Sequence, residues 1–179
     1  MPEEPAERVF IAAGSNIRPE ENILKALELL KQSATIKGMS TVYQTPAIGR
    51  PEQADYLNGV WEISTGLEPE ELKFELLRDI EKRLGRRRSE DKYAARTMDL
   101  DILLYGQRVI DKPDMKLPDP DLCSRVFLAA ALLELAPDLI LPDSGKPLSE
   151  LPVLQSAENL QPCHEFTKRL RKKGLRNES

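Results

Sequence analysis

Two aspartates in an apolar stretch are the residues of this sequence with the clearest chemical potential. Residues 96–106 read RTMDLDILLYG, which is typical of a β-strand containing Asp99 and Asp101. Side chains two positions apart in a strand project from the same face, so these carboxylates lie side by side with Cα atoms roughly 7 Å apart. At about 5 Å two such charges repel by roughly 3 kcal/mol at an effective dielectric constant near 20, so a positive group belongs beside them. The opposite face, predicted to enter the core, carries Met98, Leu100, Ile102 and Leu104.

The positive group could be Arg96, another basic residue or a divalent cation. Mg²⁺ takes one or two protein carboxylates and completes its octahedron with water and phosphate oxygens. Basic residues beside such a site would hold phosphate, so the pattern points to phosphoryl transfer. The simpler alternative is that the two acids form the solvated side of a surface strand, with Arg96 as their ion-pair partner, and the motif alone leaves both open.

A basic stretch directly precedes this strand. Residues 86–96 read RRRSEDKYAAR, with five basic residues against two acidic ones, on a chain whose formal net charge is -4. The overall acidity argues against a general nucleic-acid binder, whereas a local basic cluster suits a small anionic ligand. The alternative for Arg86 to Arg88 is a solvated run favoured by the dipole of a preceding helix.

Length and composition predict one soluble domain. A chain of 179 residues with 40% hydrophobic residues can bury a core without disulfides or metals. Cys123 and Cys163 lack metal-ligand spacing, so we read them as reduced thiols and expect a cytoplasmic protein. The start of the chain is acidic and its longest apolar stretch, VFLAAALLELA, is too short to cross a bilayer, so we expect no targeting or membrane segment.

The elements around the aspartates follow the order βαββαβ. Strands are predicted at 8–16, 35–45, 56–65 and 98–106. The first helix has Pro19 in its first turn and an apolar face of Ile23, Ala26, Leu27 and Leu30. The second begins at Pro69, ends at Gly85 and carries Leu72, Leu76, Ile80 and Leu84.

This order predicts an α+β ferredoxin-like sandwich, in which helices cover one face of an antiparallel sheet and leave the other for ligands. A further apolar helix should end near Ala136. We expect residues 1–150 to form the single catalytic domain and 151–179 to form a C-terminal extension that is partly helical or disordered.

The segment KYAARTMDLDILLYG closely resembles the signature of the 6-hydroxymethyl-7,8-dihydropterin pyrophosphokinase family. FIAAGSN, VYQTPAIG, QADYLNGV, LEPEELKFELLRDIEKRLGR and LPDPDLCSRVFLAAALLELAPDLILPD resemble further family segments in the same order, across residues 8–143. The resemblance implies a Mg²⁺-dependent enzyme of folate biosynthesis. It would move pyrophosphate from ATP to a pterin alcohol and leave AMP and the pterin diphosphate.

The resemblance also implies roles for individual residues. Asp99 and Asp101 would bind two Mg²⁺ ions between the ATP phosphates and the pterin hydroxyl, with Arg86 and Arg96 as catalytic arginines. The implied ATP-binding residues are Glu81, Arg88, Ile102, Asp119 and Arg125. The implied pterin-binding residues are Thr45, Pro46, Ile48, Tyr56, Asn58 and Phe127.

One of these positions departs from the family pattern. The family commonly has histidine where this chain has Asp119. A carboxylate cannot donate a charged hydrogen bond to phosphate and repels it unless a metal screens the charge. We therefore expect the nucleotide affinity, or its pH dependence, to differ from that of the family.

Simpler interpretations of the implied site remain open at the level of sequence. Tyr56 and Asn58 share the non-core face of one strand, which suits a flat heterocycle with a polar edge. Each aromatic could instead be an ordinary structural residue: Tyr56 in a half-exposed strand, Phe127 in a helix core. Thr45, Pro46, Glu81 and Arg125 could be turn or surface residues.

Two other functions compete with the kinase interpretation. Ferredoxin-like folds also serve as RNA-binding or regulatory modules, but an acidic pair on the open face and a negative net charge disfavour this. A relative that binds pterin or nucleotide without turnover is the second, given Asp119. We expect small-molecule substrates, no nucleic-acid or membrane partner, and a monomer, with a dimer left open.

Two further segments have plain interpretations. We read Gly14 to Asn16 as a structural turn, because the lysine and spacing of a P-loop are missing. His164, in the tail, is expected to be an incidental surface residue.

Overall fold

The computed structural model describes residues 7–175 and consists of antiparallel strands with helices on both sides. The strands are β1 (Glu7–Ser15), β2 (Thr35–Met39), β3 (Tyr43–Thr45), β4 (Tyr56–Thr65), β5 (Asp99–Tyr105), β6 (Ile110–Lys112), β7 (Met115–Leu117) and β8 (Gln161–Pro162). The α-helices are α1 (Pro19–Leu30), α2 (Arg78–Arg83), α3 (Val126–Leu135) and α4 (His164–Gly174). A π-helical segment, Glu71–Leu77, runs directly into α2, and short 3₁₀ helices span Pro120–Cys123, Leu148–Glu150 and Pro152–Asn159. The acidic lead at 1–6 and the end of the basic tail at 176–179 lie outside the described residues.

The main sheet has the order β5-β1-β4-β3-β8, with β2 also paired to β4, and all its pairs are antiparallel. The long central strands β1 and β4 are predicted correctly by the sequence. The predicted strand at 35–45 is instead broken into β2 and β3. At the break the Ser40 hydroxyl accepts a hydrogen bond from the Val60 amide at 2.8 Å, where a strand would offer a backbone carbonyl.

Both faces of the sheet are covered, which corrects the expectation that one face stays open. The first hydrophobic cluster lies under α1, the π-helical segment, α2 and α4, and includes Ile11, Trp61 and Leu72. The second lies on the other face under α3 and includes Phe10 and Val60. The second face also carries Tyr56, Asn58, Asp99 and Asp101, which line a cavity beside the start of α3.

The strand β5 does not keep one face throughout its length. Its pairing with β1 shifts between Phe10 and Ile11, so Leu103 is an extra residue in the ladder. Leu100 and Ile102 enter the first cluster as predicted, but Leu104 enters the second. The predicted orientation of Leu104 is therefore wrong, because strict alternation ends at the bulge.

The helix after β4 also departs from simple periodicity. Leu72 and Ile80 are buried as predicted, but Leu77 is 1% exposed and replaces Leu76 as the buried residue between them. A π-helical turn widens the hydrogen-bond ring to i→i+5, so the inward positions are five and then three residues apart. Gly85 ends this helix with φ +85°, the left-handed conformation that glycine adopts without strain.

The first helix agrees with its predicted face. Ile23, Ala26, Leu27 and Leu30 are all buried against the sheet. The apolar helix predicted to end near Ala136 is α3. None of the helices between Glu7 and Leu175 combines the length and the apolar character needed to cross a bilayer.

Candidate active site

A cavity of about 420 Å³ lies beside the start of α3, on the face of the sheet that α3 covers in part. Its walls come from β3, β4, β5, the segment from the 3₁₀ helix Pro120–Cys123 into α3, and the two loops 46–55 and 84–98. The predicted site residues that line it are Thr45, Pro46, Ile48, Tyr56, Asn58, Arg96, Asp99, Asp101, Arg125 and Phe127. The fold therefore brings residues distant in sequence into one concave site.

Asp99 is held by two of the predicted arginines. Its Oδ1 accepts a hydrogen bond from Arg86 at 3.1 Å, and its Oδ2 accepts one from Arg96 at 2.8 Å. Arg96 also donates to the Lys92 carbonyl at 3.0 Å, which fixes it to the basic loop. The charge of Asp99 is thus balanced by side chains that could equally hold phosphate.

Asp101 lacks such a partner. Within residues 7–175 no lysine or arginine nitrogen lies within 4.0 Å of its carboxylate. The surrounding protein and the charges of Asp99, Asp119 and Glu81 raise the pKa of Asp101 well above its usual value. A divalent cation bound here would favour the ionised form of Asp101 and offset the repulsion among these acids.

The residues present fit Mg²⁺. Asp99 and Asp101 are two same-face carboxylates, and in the described part of the chain no third acid, histidine or cysteine joins them as a ligand set. Mg²⁺ characteristically uses one or two carboxylates and keeps water or phosphate oxygens at its other positions. Nucleotide phosphates in the cavity would complete that coordination.

Glu81 lies behind the cavity and contacts two of the predicted arginines. Its carboxylate accepts hydrogen bonds from Arg86, from Arg88 at 3.1 Å and from the Leu100 amide at 3.0 Å. Burial raises the pKa of Glu81, although the Leu100 hydrogen bond and the arginines oppose the shift. Arg86 is itself only 11% exposed at its side chain, so Glu81 fixes where this guanidinium points.

A second, smaller cavity of about 90 Å³ adjoins Asp101 and contains the remaining predicted nucleotide residues. Ile102 and Asp119 line it together with Lys73. Asp119 accepts a hydrogen bond from the Asp121 amide at 2.9 Å and so caps the 3₁₀ helix. Burial raises the pKa of Asp119.

The pterin side of the cavity is built by β3 and β4. Asn58 donates to the Thr45 hydroxyl at 2.6 Å, and Tyr56 is half-buried on the same face of β4. Phe127 is half-buried on α3 and reaches both the cavity and the second hydrophobic cluster. Gly14 lies against the Asn58 side chain so closely that a Cβ on Gly14 would collide with it.

Sequence reasoning missed several residues of this site. Ala47, Gln53, Lys92, Tyr93 and Asp121 also line the cavity. Tyr93 could have been identified from the sequence, because it is the only aromatic residue in the basic loop at 86–96. Gln53 and Ala47 lie in a Pro-rich loop and have no pattern that distinguishes them.

Asn16 does more than form the structural turn predicted for it. Its Oδ1 accepts a hydrogen bond from the Arg96 amide at 2.8 Å. Its Nδ2 donates to Gln53 at 3.1 Å and to the Ala54 carbonyl at 3.2 Å. One buried amide therefore ties the basic loop to the loop at 46–55.

The comparisons with known proteins agree on one family. Residues 10–137 match the model of 7,8-dihydro-6-hydroxymethylpterin-pyrophosphokinase (HPPK). The 2-amino-4-hydroxy-6-hydroxymethyldihydropteridine pyrophosphokinase of Pseudomonas aeruginosa is 38% identical over 148 residues, which cover 81% of this chain and 90% of that protein. The Bacillus subtilis protein of the same name is 42% identical over 129 residues, covering 70% of this chain and 76% of the relative.

A solved structure resembles the fold as well. The crystal structure of an HPPK-DHPS in complex with substrates matches with a TM-score of 0.57 at 11% identity, over 97% of this chain and 46% of that one. At that identity the match supports the fold alone. Together with the sequence relatives, the matched model establishes that the chain belongs to the 7,8-dihydro-6-hydroxymethylpterin-pyrophosphokinase family.

Proposed function

We propose that this protein transfers pyrophosphate from ATP to 6-hydroxymethyl-7,8-dihydropterin, as its family membership indicates, and that the cavity bounded by Asp99 and Asp101 is where it does so. The observation that carries the proposal is that one cavity combines residues suited to a heterocycle with residues suited to phosphate and metal. Tyr56, Asn58 and Phe127 suit a flat polar heterocycle, while Asp101 and Arg96 suit metal-bound phosphate. The two substrates would meet between these walls.

The reaction is a direct displacement in which the pterin hydroxymethyl oxygen attacks the β-phosphorus of ATP and AMP leaves. We propose two Mg²⁺ ions held by Asp99 and Asp101, which would supply charge neutralisation on the phosphates and a lower pKa for the attacking hydroxyl. The chain's part is to orient the two substrates and to stabilise developing charge.

Arg86 and Arg96 would change partners during the cycle. In the structure they donate to the two oxygens of Asp99. When phosphates enter, the guanidinium groups would turn to them, because bidentate contacts with phosphate are strong and geometrically specific. Glu81 and the Lys92 carbonyl keep the two arginines close to the cavity throughout.

The two loops would exclude water from the reacting phosphates. Arg50 and Asp91 form an ion pair between the loops, and Gln53 donates to the Tyr93 carbonyl at 2.9 Å. Asn16 holds both loops at their base. We propose that loops joined in this way close together over ATP rather than separately.

The proposal extends to the topology of the fold, the cellular compartment, the oligomeric state and the C-terminal segment. The strand order β5-β1-β4, with β2 and β3 beyond β4, supports a ferredoxin-like arrangement. Two free thiols support a cytoplasmic protein. We propose that the protein acts as a monomer, and that residues 151–175 fold as part of the catalytic unit, since Phe166 and Leu170 belong to the first hydrophobic cluster.

The test is to incubate the protein with Mg²⁺, ATP and 6-hydroxymethyl-7,8-dihydropterin and to separate the nucleotides. AMP that appears only with both pterin and metal supports the proposal, and ADP would mean ordinary phosphoryl transfer. Asp99→Ala and Asp101→Ala should each reduce AMP formation on the order of 10³-fold. Asp111→Ala is the matched control, because Asp111 is an exposed acid paired with Lys116 on the separate β6-β7 hairpin.

A binding protein without turnover is the second candidate, and Asp119 is the observation that favours it. Nucleotide binding without AMP formation would support that candidate. An RNA-binding module is disfavoured by the acidic pair Asp99 and Asp101 on the face that would meet RNA and by the net charge of -4.

A further inference from the structure

The C-terminal segment Gln161–Gly174 lies against the backbone of the strand that carries part of the candidate pterin site. β8 pairs with β3, so that Tyr43 faces Pro162 and Gln44 faces Gln161. The Cys163 amide donates to the Val42 carbonyl at 2.8 Å, just before β3 begins. This segment lies beyond residues 10–137, where the family model matches.

Thr167 provides the most buried of these contacts. Its hydroxyl accepts a hydrogen bond from the Val42 amide at 2.9 Å and donates one to the Cys163 carbonyl at 2.8 Å. Thr167 is 3% exposed and Val42 is 1% exposed, so neither group has water as an alternative partner. The hydroxyl therefore does for Val42 what a neighbouring strand would otherwise do.

A second contact from α4 fixes the break between β2 and β3. Arg171 donates to the Met39 carbonyl at 3.0 Å and to Glu134 of α3 at 2.9 Å. Glu134 in turn accepts from the Thr41 amide at 3.1 Å and from its hydroxyl at 2.9 Å. The backbone from Met39 to Val42 is thus held by two helices, at a point where it leaves regular strand pairing.

These anchors are close in sequence to the pterin site. β3 contains only Tyr43, Gln44 and Thr45, and Thr45 lines the cavity and accepts from Asn58. Beyond Thr45 the chain forms the loop with Pro46 and Ile48. A strand of three residues has little stiffness of its own, so the positions of Thr45 and this loop depend on what holds the residues before them.

We propose that Thr167 is a positioning residue of the pterin site, acting through Val42 and β3, and that Arg171 supports the same strand. The inference rests on the proposed function, because it assigns the site formed by Thr45 and Asn58 to the pterin. It gives the C-terminal helix a role in substrate affinity. Without these contacts β3 can adopt several positions, only one of which is competent to bind pterin. The apparent affinity for pterin then falls in proportion to the fraction of molecules in that position.

The test compares three variants in the AMP-forming assay, with pterin and ATP varied separately. Thr167→Val keeps the shape of the side chain and removes the hydroxyl, so the KM for pterin should rise about fivefold while the KM for ATP and kcat stay near wild type. Thr167→Ser keeps the hydroxyl and should restore the pterin KM. Hydrogen exchange of the Val42 amide should be faster in Thr167→Val alone.

Leu170→Val controls for a general loosening of α4. Leu170 is 1% exposed, packs in the first hydrophobic cluster and carries no polar group that could hydrogen-bond to the backbone before β3. We expect this variant to melt at a lower temperature with an unchanged pterin KM. If Thr167→Val does not fold, Arg171→Gln tests the same support and should also raise the pterin KM.

The outcomes separate this inference from the proposed function. A wild-type pterin KM in Thr167→Val, or an equal rise in Leu170→Val, would overturn the positioning role. Loss of ATP affinity along with pterin affinity would overturn it too, since β3 lies on the pterin side. Wild-type protein that forms no AMP would instead refute the proposed function, and the inference with it.

Discussion

Asp99 and Asp101 occupy equivalent positions on one strand face, but their surroundings differ. Arginines engage both oxygens of Asp99, whereas Asp101 faces the charges of Asp99, Asp119 and Glu81 and forms no ion pair with a lysine or arginine among residues 7–175. The sequence predicts the pair and its shared face from the two-residue spacing alone. It could not predict this difference, because Arg86, which is held by Glu81, reaches Asp99 from beyond the end of α2.

The close contact between Gly14 and the Asn58 side chain makes Gly14 important for the candidate pterin site. Gly14→Ala would place a methyl group where Asn58 now lies, so Asn58 would have to move away from Thr45. We expect the KM for pterin to rise about tenfold, the effect of losing one well-placed hydrogen-bonding group. The KM for ATP should not change.

The matched control for this variant is Gly66→Ala. No heavy atom lies within 4 Å of a Cβ built on Gly66, and its φ is outside the left-handed region. Steady-state kinetics of both variants check the prediction. Equal pterin KM values for Gly14→Ala and the control would contradict it.

Asp119 combines a structural and an electrostatic effect that one substitution can separate. Asp119→Asn keeps an oxygen to cap the 3₁₀ helix and removes the negative charge. Because that charge repels phosphate, we expect the KM for ATP to fall several-fold in this variant. An unchanged or higher ATP KM would mean that the carboxylate does not face the nucleotide.

The same variant makes a prediction about pH. Burial raises the pKa of Asp119, so the wild-type carboxyl gains its charge at a higher pH than an exposed aspartate does. Repulsion of ATP, and with it the KM for ATP, should therefore increase as the pH rises through that raised pKa. Asp119→Asn should lack this increase, which ATP KM values measured across pH would reveal.

At the scale of elements, the helices and long strands were predictable and the irregular segments were not. Periodicity identifies α1 and β4 because each buries one regular face. It fails at the π-helical segment, at the bulge at Leu103 and at the break after Met39, since each inserts or removes a residue from the period. The cavity walls come from such irregular segments and from loops. The cavity residues that were not predicted therefore lie where hydrophobic periodicity cannot identify them.

The hydrogen bonds of Asn16 couple the two loops that border the cavity, and a substitution of Asn16 tests this coupling. Asn16→Ala removes the hydrogen bonds to the Gln53 side chain and to the backbone groups of Arg96 and Ala54. We expect kcat/KM to fall about 10- to 100-fold, with higher KM values for both substrates. Asn159→Ala, at an exposed position, should behave as wild type.

Kinetics with each substrate varied in turn check this prediction. A change confined to the KM for one substrate would contradict the coupling, because it would mean that the two loops move independently. Activity equal to that of Asn159→Ala would show that the hydrogen bonds of Asn16 do not matter for either loop.

At the scale of the whole molecule, the C-terminal segment belongs to the packing of the catalytic unit. Phe166 and Leu170 are 3% and 1% exposed, and burial of each such side chain stabilises by roughly 1.5–3 kcal/mol. The sequence suggested a boundary near residue 150 because the resemblance ends nearby. It could not indicate that the chain returns to the first hydrophobic cluster, which depends on long-range contacts.

A variant truncated after Leu160 tests whether the C-terminal segment is part of the same folding unit. We expect the melting temperature to fall by about 10 °C or more, because two core side chains and the β8 pairing are lost. Lys172→Ala, at an exposed position of α4, is the control and should leave the melting temperature unchanged. A shortened chain that melts like wild type would instead support an independent domain ending near residue 150.

The broken outer side of the sheet has a further consequence, for the behaviour of the protein at high concentration. Long, regular edge strands invite strand addition from a second molecule, which leads to aggregation. Here the edge beyond β4 is divided into β2 and β3, β2 carries the exposed Lys37, and β8 and Thr167 occupy the backbone groups at β3 and just before it. The interrupted strand that supports the candidate pterin site thus also denies other chains a template for intermolecular β-pairing.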